Sequence, residues 1–426
     1  MNLEITPASS LRGTVTVPGD KSISHRALMI GSLADGLSEV SGFSGAADPK
    51  STQACLKSLG VEFERKSDLL LIHGKGLRGL NKPVGDLDAG NSGTTMRLMA
   101  GILAGQTFDS VLIGDESLSR RPMKRVVDPL RQMGARITGT ALGTAPISIR
   151  GTEKLHAIDY ALLVPSAQVK SAILFAGLYA DGTTVVREPS KTRDHTERML
   201  DLRVTEKVGV RIVEVEGGKR IPGKKFVVPG DLSSAAFLIA AAMILKNSEV
   251  RVSNAGLNPT RTAVLNIFKE MGGKIEIENE RLAGGEPFGD IVARSSNLTS
   301  DISIRGSKVA ALVDEIPILA TTALFGEGYF EVRDATELRH KESDRIASIV
   351  RNLQILGCDV EEYPDGFAFE AGNELRGGVI DSFLDHRIAM AFGVAGLSIP
   401  GITIKGAECV DISFPGFWRI LQGLTH

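Results

Sequence analysis

Hydrophobic and polar positions along the chain fall into one recurring unit: a small polar opening, a helix rich in Ala, Leu and Met, a turn containing Gly, and a β-branched strand. It appears as KSISHRALMIGSLADGLSEV from Lys21, NSGTTMRLMAGILAGQTFDSVLI from Asn91 and SAQVKSAILFAGLYADGTTVV from Ser166. It returns as SSAAFLIAAAMILKNSEVRV from Ser233, DEIPILATTALFGEGYFEV from Asp314 and DHRIAMAFGVAGLSIPGITI from Asp385. Successive openings lie about 65 to 80 residues apart, so six units span the chain. A second pattern alternates with the first. Amphipathic helices end just before Gly60, Gly134, Gly209, Gly272 and Gly357, each followed by a strand. Glycine suits the residue after a helix because it adopts left-handed backbone angles without a Cβ clash. The two patterns together predict six copies of a two-helix unit with several strands each.

The copies group into halves. TVPGDKSISHRALMIGSLA at Thr16 and VVPGDLSSAAFLIAAAMI at Val227 are close cousins, each placing PGD ahead of a Ser-containing helix start. If the chain crosses between domains at both, residues 1–18 belong with 229–426, and residues 19–228 form an inserted domain. Each domain then holds three copies.

Composition agrees with this division. A chain of 426 residues exceeds one ordinary core, and 42 % hydrophobic residues rule out disorder. Aromatics are only 5 %, so the cores must be aliphatic. Forty-nine basic against 51 acidic side chains leave a net charge of −2, with no general attraction to nucleic acid or anionic membrane. The three cysteines, Cys55, Cys358 and Cys409, are far apart and form no CxxC, which fits a reducing cytoplasm. The first residues lack the basic and apolar regions of a secretory signal. The longest nearly unbroken apolar run, Leu232 to Leu245, is shorter than the ~20 residues of a membrane helix. A cytoplasmic protein is expected, acting as a monomer on small molecules, without nucleic acid or membrane partners.

Candidate chemistry gathers where helices begin. Free N–H groups and a partial positive charge make a helix N-terminus an anion site. Here several openings add a cation: Lys21, Ser22 and Arg26; Gly93, Thr94 and Arg97; Ser166, Gln168 and Lys170; and Arg387. Capping alone accounts for any one polar opening, but not for a cation beside each. Asp314 reads as the opening of an apolar helix, where its carboxylate would be partly desolvated. LSRRPMKRVVDPL and LRHKESDRIASI carry dense charge, which a solvated helix face with i,i+4 pairs also explains. Walker A spacing is lacking around Lys21, no dinucleotide fingerprint is read, and no HExxH occurs. No metal or cofactor is expected.

Taken together, PGDKSISHRA, GNSGTTMRL, RRPMKRVVDPL, SAQVKSA, RDHTERML, DEIPILA, LRHKESDR and DHRIAMA resemble the family of 5-enolpyruvylshikimate-3-phosphate (EPSP) synthases, in that family's order from residue 18 to 392. The resemblance implies an α/β fold of two inside-out barrels, six βαβαββ copies in all, with the active site in the cleft between the domains. It implies transfer of the carboxyvinyl group of phosphoenolpyruvate (PEP) to the 5-hydroxyl of shikimate 3-phosphate, with release of phosphate. Both substrates are polyanions, so clustered cations and helix N-termini are what holding them requires.

Position by position, the resemblance makes Lys21, Asp314 and Glu342 catalytic, with Asp314 the base for the hydroxyl and Glu342 the acid for the methylene carbon. Shikimate 3-phosphate would be held by Lys21, Ser22, Arg26, Ser166, Ala167, Gln168, Arg193, Asp314 and Lys341. PEP would meet Lys21, Gly93, Thr94, Arg121, Gln168, Arg345 and Arg387. One departure is Ile412, in CVDISFP, where many members carry a lysine. Ala167 and the RDHTE segment are similar to the family's second subgroup, whose members often tolerate the herbicide glyphosate. Gly93 stands where an alanine commonly gives tolerance. Two rivals share repeats of this kind. A UDP-N-acetylglucosamine enolpyruvyl transferase usually relies on a loop cysteine, and GDESLSRRPMKR has none. An RNA 3′-phosphate cyclase or RNA-binding module would want a strongly basic face, which a balanced chain lacks.

Overall fold

The helices that open the repeats are apolar on nearly every side, and a helix without a polar face is stable only inside a protein. The structure is a computed structural model describing residues 1–372 and 374–426, and it places these helices at the centre of two units. Every residue of helix His386–Gly396 is buried, as is every residue of Lys21–Leu33 from Ile23 onward. Contact grouping divides the chain into a first unit, residues 1–18, 229–282 and 287–426, and a second unit, residues 19–228 and 283–286. Each has its own hydrophobic core. None of the helices is long and apolar enough to cross a membrane, among the described residues.

The second unit is a closed ring of three sheets around three helices. Strand Asp35–Ser41 pairs antiparallel with Leu69–Lys75, which pairs with Glu62–Lys66. The next strand, Leu87–Asp88, leaves that sheet and runs parallel to Ser110–Ile113 in the second. Asp159–Ala161 does the same for Thr183–Glu188 in the third. The ring closes where Lys225–Val227 returns parallel to Asp35–Ser41. Each sheet has a single buried face: Ile147 and Ile149 point inward while Ser148 and Arg150 are exposed. Helices Gly93–Ala104 and Ala167–Gly177 cross so closely that a Cβ on Gly101 would stand 2.2 Å from the Ala172 carbonyl oxygen.

The first unit repeats the plan with its third copy split between the chain ends. Strand Arg12–Val15 runs parallel to Glu249–Val252 and completes that sheet. Asn2–Glu4 pairs antiparallel with Ile402–Lys405, giving a sheet of three strands rather than four. Chain start and chain end thus stand where the other five copies have a continuous second helix and hairpin.

Four of the five glycines read as helix ends do follow helices in the left-handed region: Gly60, Gly134, Gly272 and Gly357. Gly209 does not. Residues Arg203–Lys207 form a strand paired with Val210–Glu216, and Val208 and Gly209, both at positive φ, make the hairpin turn between them. The helix here is shorter, His195–Leu200, and the left-handed residue after it is Asp201. Val204 and Thr205 are β-branched, and every residue of RVTEK but Thr205 is exposed, as suits an edge strand.

Candidate active site

In the second unit, three helix openings meet and are tied pairwise. Asp20 caps the first helix by accepting from the Ile23 N–H at 2.8 Å. Its first residue, Lys21, places Nζ 2.9 Å from Asp48 Oδ2, and the Asp48 carbonyl stands 3.5 Å from Thr95 Oγ1 in the second. Ser92 caps helix Gly93–Ala104, and Ser166 caps helix Ala167–Gly177. Gln168 joins these two: its Nε2 donates to Thr94 Oγ1 at 2.9 Å, and its Oε1 accepts from Arg97 at 2.7 Å. Arg26 closes the circle. Its guanidinium donates to Thr196 Oγ1, Ser171 Oγ and the Ser22 carbonyl at 2.7, 2.8 and 3.0 Å. Burial lowers the Arg26 pKa to about 10, against the pull of Glu197 and Asp20.

Gly93 has two guanidinium groups for neighbours. A Cβ there would lie 2.5 Å from one Arg97 terminal nitrogen and 3.6 Å from one of Arg121. Arg121 is held by Asn91 Oδ1 at 2.9 Å, and Asn91 in turn donates to Asp115. The neighbouring cations of its run are otherwise engaged: Arg120 pairs with Glu116 and Lys124 with Asp128 on the exposed surface. Helix Lys124–Gln132 starts two residues after Pro122. Ser22, Ala167 and Arg193 are half-buried.

Lys170 departs from its reading as an anion-site cation. It is fully buried, with Nζ 2.8 Å from Glu188 and 2.7 Å from Glu197, both carboxylates buried too. A charge this deep is held by opposite charge, not by a ligand from solvent. Its place one turn into the helix, rather than at the first residue, is what turns it inward.

In the first unit, a second cluster forms around Arg345, the first residue of helix Arg345–Ile355. Its side chain is almost wholly buried and reaches Asp385 at 2.8 Å, Glu342 at 2.7 Å and Asp314 at 3.4 Å. Burial disfavours its charge, but Asp385, Glu342 and Asp314 outweigh that and raise its pKa above the ordinary value. Arg387 donates to the Asp314 carbonyl at 2.9 Å. Four of the predicted residues, Asp314, Glu342, Arg345 and Arg387, are therefore brought together. Lys341 pairs with Glu337 four residues earlier. Ile412 packs against the hydrophobic core.

Asp314 does not open its helix. The helix is Ile316–Ala323, with Pro317 in its first turn and Glu315 at the cap position. Proline near the start fixes the boundary there. The deeply buried carboxylate is Glu315, bonded to Ser233 and facing Arg261, whereas Asp314 keeps 18 % exposure. Sequence reading also passed over Asp48, Ser171 and Thr196. Asp48 lies near the start of a second helix read only for its glycine end, and Thr196 lies within RDHTERML, where Arg193 is the residue singled out. The glycine spacing G-x-G-x-x-G does occur, at Gly74, Gly76 and Gly79, but it leads from a strand into a loop rather than a helix. It therefore lacks the context of a dinucleotide site.

Two carboxylates, Asp314 and Glu342, share one buried arginine, in a chain whose other unit ties cations to helix openings; such an arrangement suits chemistry on anions. Comparison with known proteins gives it a family. The model for EPSP synthase (3-phosphoshikimate 1-carboxyvinyltransferase) matches residues 5–421. This chain belongs to the EPSP synthase family. The 3-phosphoshikimate 1-carboxyvinyltransferase of Salinibacter ruber is 51 % identical over 426 residues, covering 99 % of each chain. That of Pelobacter propionicus is 49 % identical over 429 residues, covering 99 % of this chain and 98 % of its own. An EPSP synthase structure from Acinetobacter baumannii superimposes with a TM-score of 0.88 at 44 % identity, covering 100 % of this chain and 98 % of that one.

Proposed function

We propose that this enzyme transfers the carboxyvinyl group of PEP to the 5-hydroxyl of shikimate 3-phosphate and releases inorganic phosphate, a step toward chorismate and the aromatic amino acids. The observation that carries the reading is the sharing of Arg345 by Asp314 and Glu342, within a chain that the family's model matches over residues 5–421.

The chemistry assigns each group a task. Addition requires a proton on the PEP methylene carbon, supplied by Glu342, while Asp314 takes the proton of the attacking hydroxyl. The carbon between carboxylate and phosphate then becomes tetrahedral, bonded to both oxygens. Elimination breaks its bond to the phosphate oxygen and removes a proton from the new methyl group, restoring the alkene. Lys21 stands by both substrates and exchanges protons with them. Gly93, Thr94, Arg121, Gln168, Arg345 and Arg387 surround PEP. Ser22, Arg26, Ser166, Ala167, Gln168, Arg193 and Lys341, with Asp314, hold shikimate 3-phosphate. The guanidinium groups and helix N–H groups offset the substrates' negative charge before the reaction starts, so no reorganisation is needed during it.

We place the enzyme in the cytoplasm, acting as a monomer with neither metal nor cofactor. The wide separation of Cys55, Cys358 and Cys409 along the chain, with no CxxC, supports a reducing compartment. The test is phosphate release from PEP by purified protein with a chelator present, using shikimate 3-phosphate in one reaction and UDP-N-acetylglucosamine in the other. Release with the shikimate alone is expected. Release with the sugar nucleotide alone would mean that the acceptor residues are misassigned.

A further inference from the structure

One turn inside the openings of the second unit, a chain of uncharged groups crosses three helices. His25 Nδ1 lies 2.6 Å from Thr52 Oγ1, and Thr52 Oγ1 lies 2.7 Å from Thr95 Oγ1. Thr95 Oγ1 donates to Ser92 Oγ at 2.8 Å, and Ser92 is the cap of the Gly93 helix. All four side chains are fully buried.

Counting protons fixes the direction of every bond. The Thr95 hydroxyl spends its single hydrogen on Ser92, so Thr52 must donate to Thr95. The Thr52 oxygen then accepts from His25, which must carry its proton on Nδ1. Nε2 has no polar partner among the described residues, so protonating it would leave a buried N–H unmatched. The imidazole is neutral, and the chain has one proton arrangement.

Position gives the chain its effect. His25 is four residues after Lys21, and Thr52 four after Asp48, so each lies one turn below one partner of the Lys21–Asp48 pair. Thr95 is two residues after Gly93 and one after Thr94. We infer that His25, Thr52 and Thr95 are positioning residues: their hydrogen-bond chain fixes the Gly93–Thr94 opening against Lys21, and so sets the affinity for PEP without touching it. This rests on the proposed function, which places PEP at that opening.

The test begins with Thr52→Val, which keeps the shape of the side chain and removes both its donor and its acceptor. The KM for PEP should rise about five- to tenfold with kcat within about twofold, because a misplaced opening weakens binding before it alters chemistry. The KM for shikimate 3-phosphate should stay near wild type, and Thr52→Ser should restore PEP affinity. If the threonines serve only as packing, Thr52→Val will match wild type, and that result overturns the inference. So does an equal rise in both KM values. Thr95→Val is the second variant, with the same expectation, should Thr52→Val fail to fold. The unmutated protein supplies an independent readout: in ¹⁵N-histidine spectra His25 should show a protonated Nδ1 and a bare Nε2, and the opposite tautomer would break the chain. Wild-type protein inactive with both substrates would strike the proposed function instead, and the tautomer would still decide whether the chain exists.

Discussion

Arg345 Nε lies 2.8 Å from Asp385 Oδ2, with both side chains at or below 1 % exposure. The bridge fastens the opening of helix Arg345–Ile355 to that of His386–Gly396, which Asp385 also caps through the Arg387 N–H. Without Asp385 the buried Arg345 keeps only the partly exposed Glu342 and Asp314 to offset its charge. Asp385→Ala is therefore expected to cost about 3–5 kcal/mol of stability. Asp385→Asn retains the cap and should cost about 1 kcal/mol less. Urea unfolding of the three proteins checks this, and equal midpoints would show that the bridge contributes nothing net.

Glu342 is partly exposed and bonded to Arg345 at 2.7 Å, so it combines access with a fixed direction. Glu342→Gln keeps the shape and an oxygen for Arg345 but has no acidic proton for carbon. Turnover should fall at least ~100-fold while PEP still binds. Steady-state kinetics together with calorimetric titration of PEP separates the two. A turnover near wild type would remove Glu342 from the acid role.

At Gly93 the constraint is steric. A Cβ at 2.5 Å from the Arg97 guanidinium forces that flexible end to move, and Arg97 then leaves Gln168. Gly93→Ala should raise the KM for PEP by about tenfold, with stability within about 0.5 kcal/mol of wild type, since Ala is a good helix former in the first turn. The KM for shikimate 3-phosphate should move much less. Comparable changes for both substrates would mean that Gly93 shapes the whole second unit rather than one subsite.

The repeats were legible because apolar helices and C-terminal glycines are local signals, written in consecutive residues. Gly209 misled because a hairpin turn and a helix end both want positive φ, and only the pairing of Arg203–Lys207 with Val210–Glu216 tells them apart. Residue type also revealed that charge gathers at helix starts, but not which way each charge faces. Lys21 and Lys170 look alike in sequence, yet the first residue of a helix faces its opening, while one a turn further in meets Glu188 and Glu197. Likewise Asp314 and Glu315 are neighbours, and only the packing of Ser233 and Arg261 decides which is buried. Partners such as Asp48 and Thr196 come from other helices and leave no trace near the residues they hold.

Lys170 offers a direct check on that distinction. Lys170→Met takes the shared cation from two buried carboxylates, leaving Glu188 only Arg211 at 3.8 Å, and should destabilise the protein by about 3–5 kcal/mol. Adding Glu197→Gln should recover part of the loss, because one of the two stranded charges is then gone. The folded fraction should keep both KM values. A selective loss of substrate affinity at unchanged stability would instead place Lys170 at the ligand.

His25 makes acid stability measurable residue by residue. Burial lowers its pKa to about 3, with Asp48 opposing and Lys21 and Arg26 adding to the shift. Its ordinary value is about 6.5. Between those values the unfolded chain binds a proton that the native protein does not, so stability falls as pH falls. The slope from this one group approaches ~1.4 kcal/mol per pH unit, and the contribution is fully present above about pH 6.5. His25→Gln cannot take up that proton in either state. Its stability, whatever its absolute value, should decline less steeply than wild type from about pH 6.5 to about pH 4.5, by close to one proton's worth of slope. Urea midpoints across that range decide it. Parallel curves would mean that His25 titrates alike in both states, which a neutral imidazole locked to Thr52 does not allow.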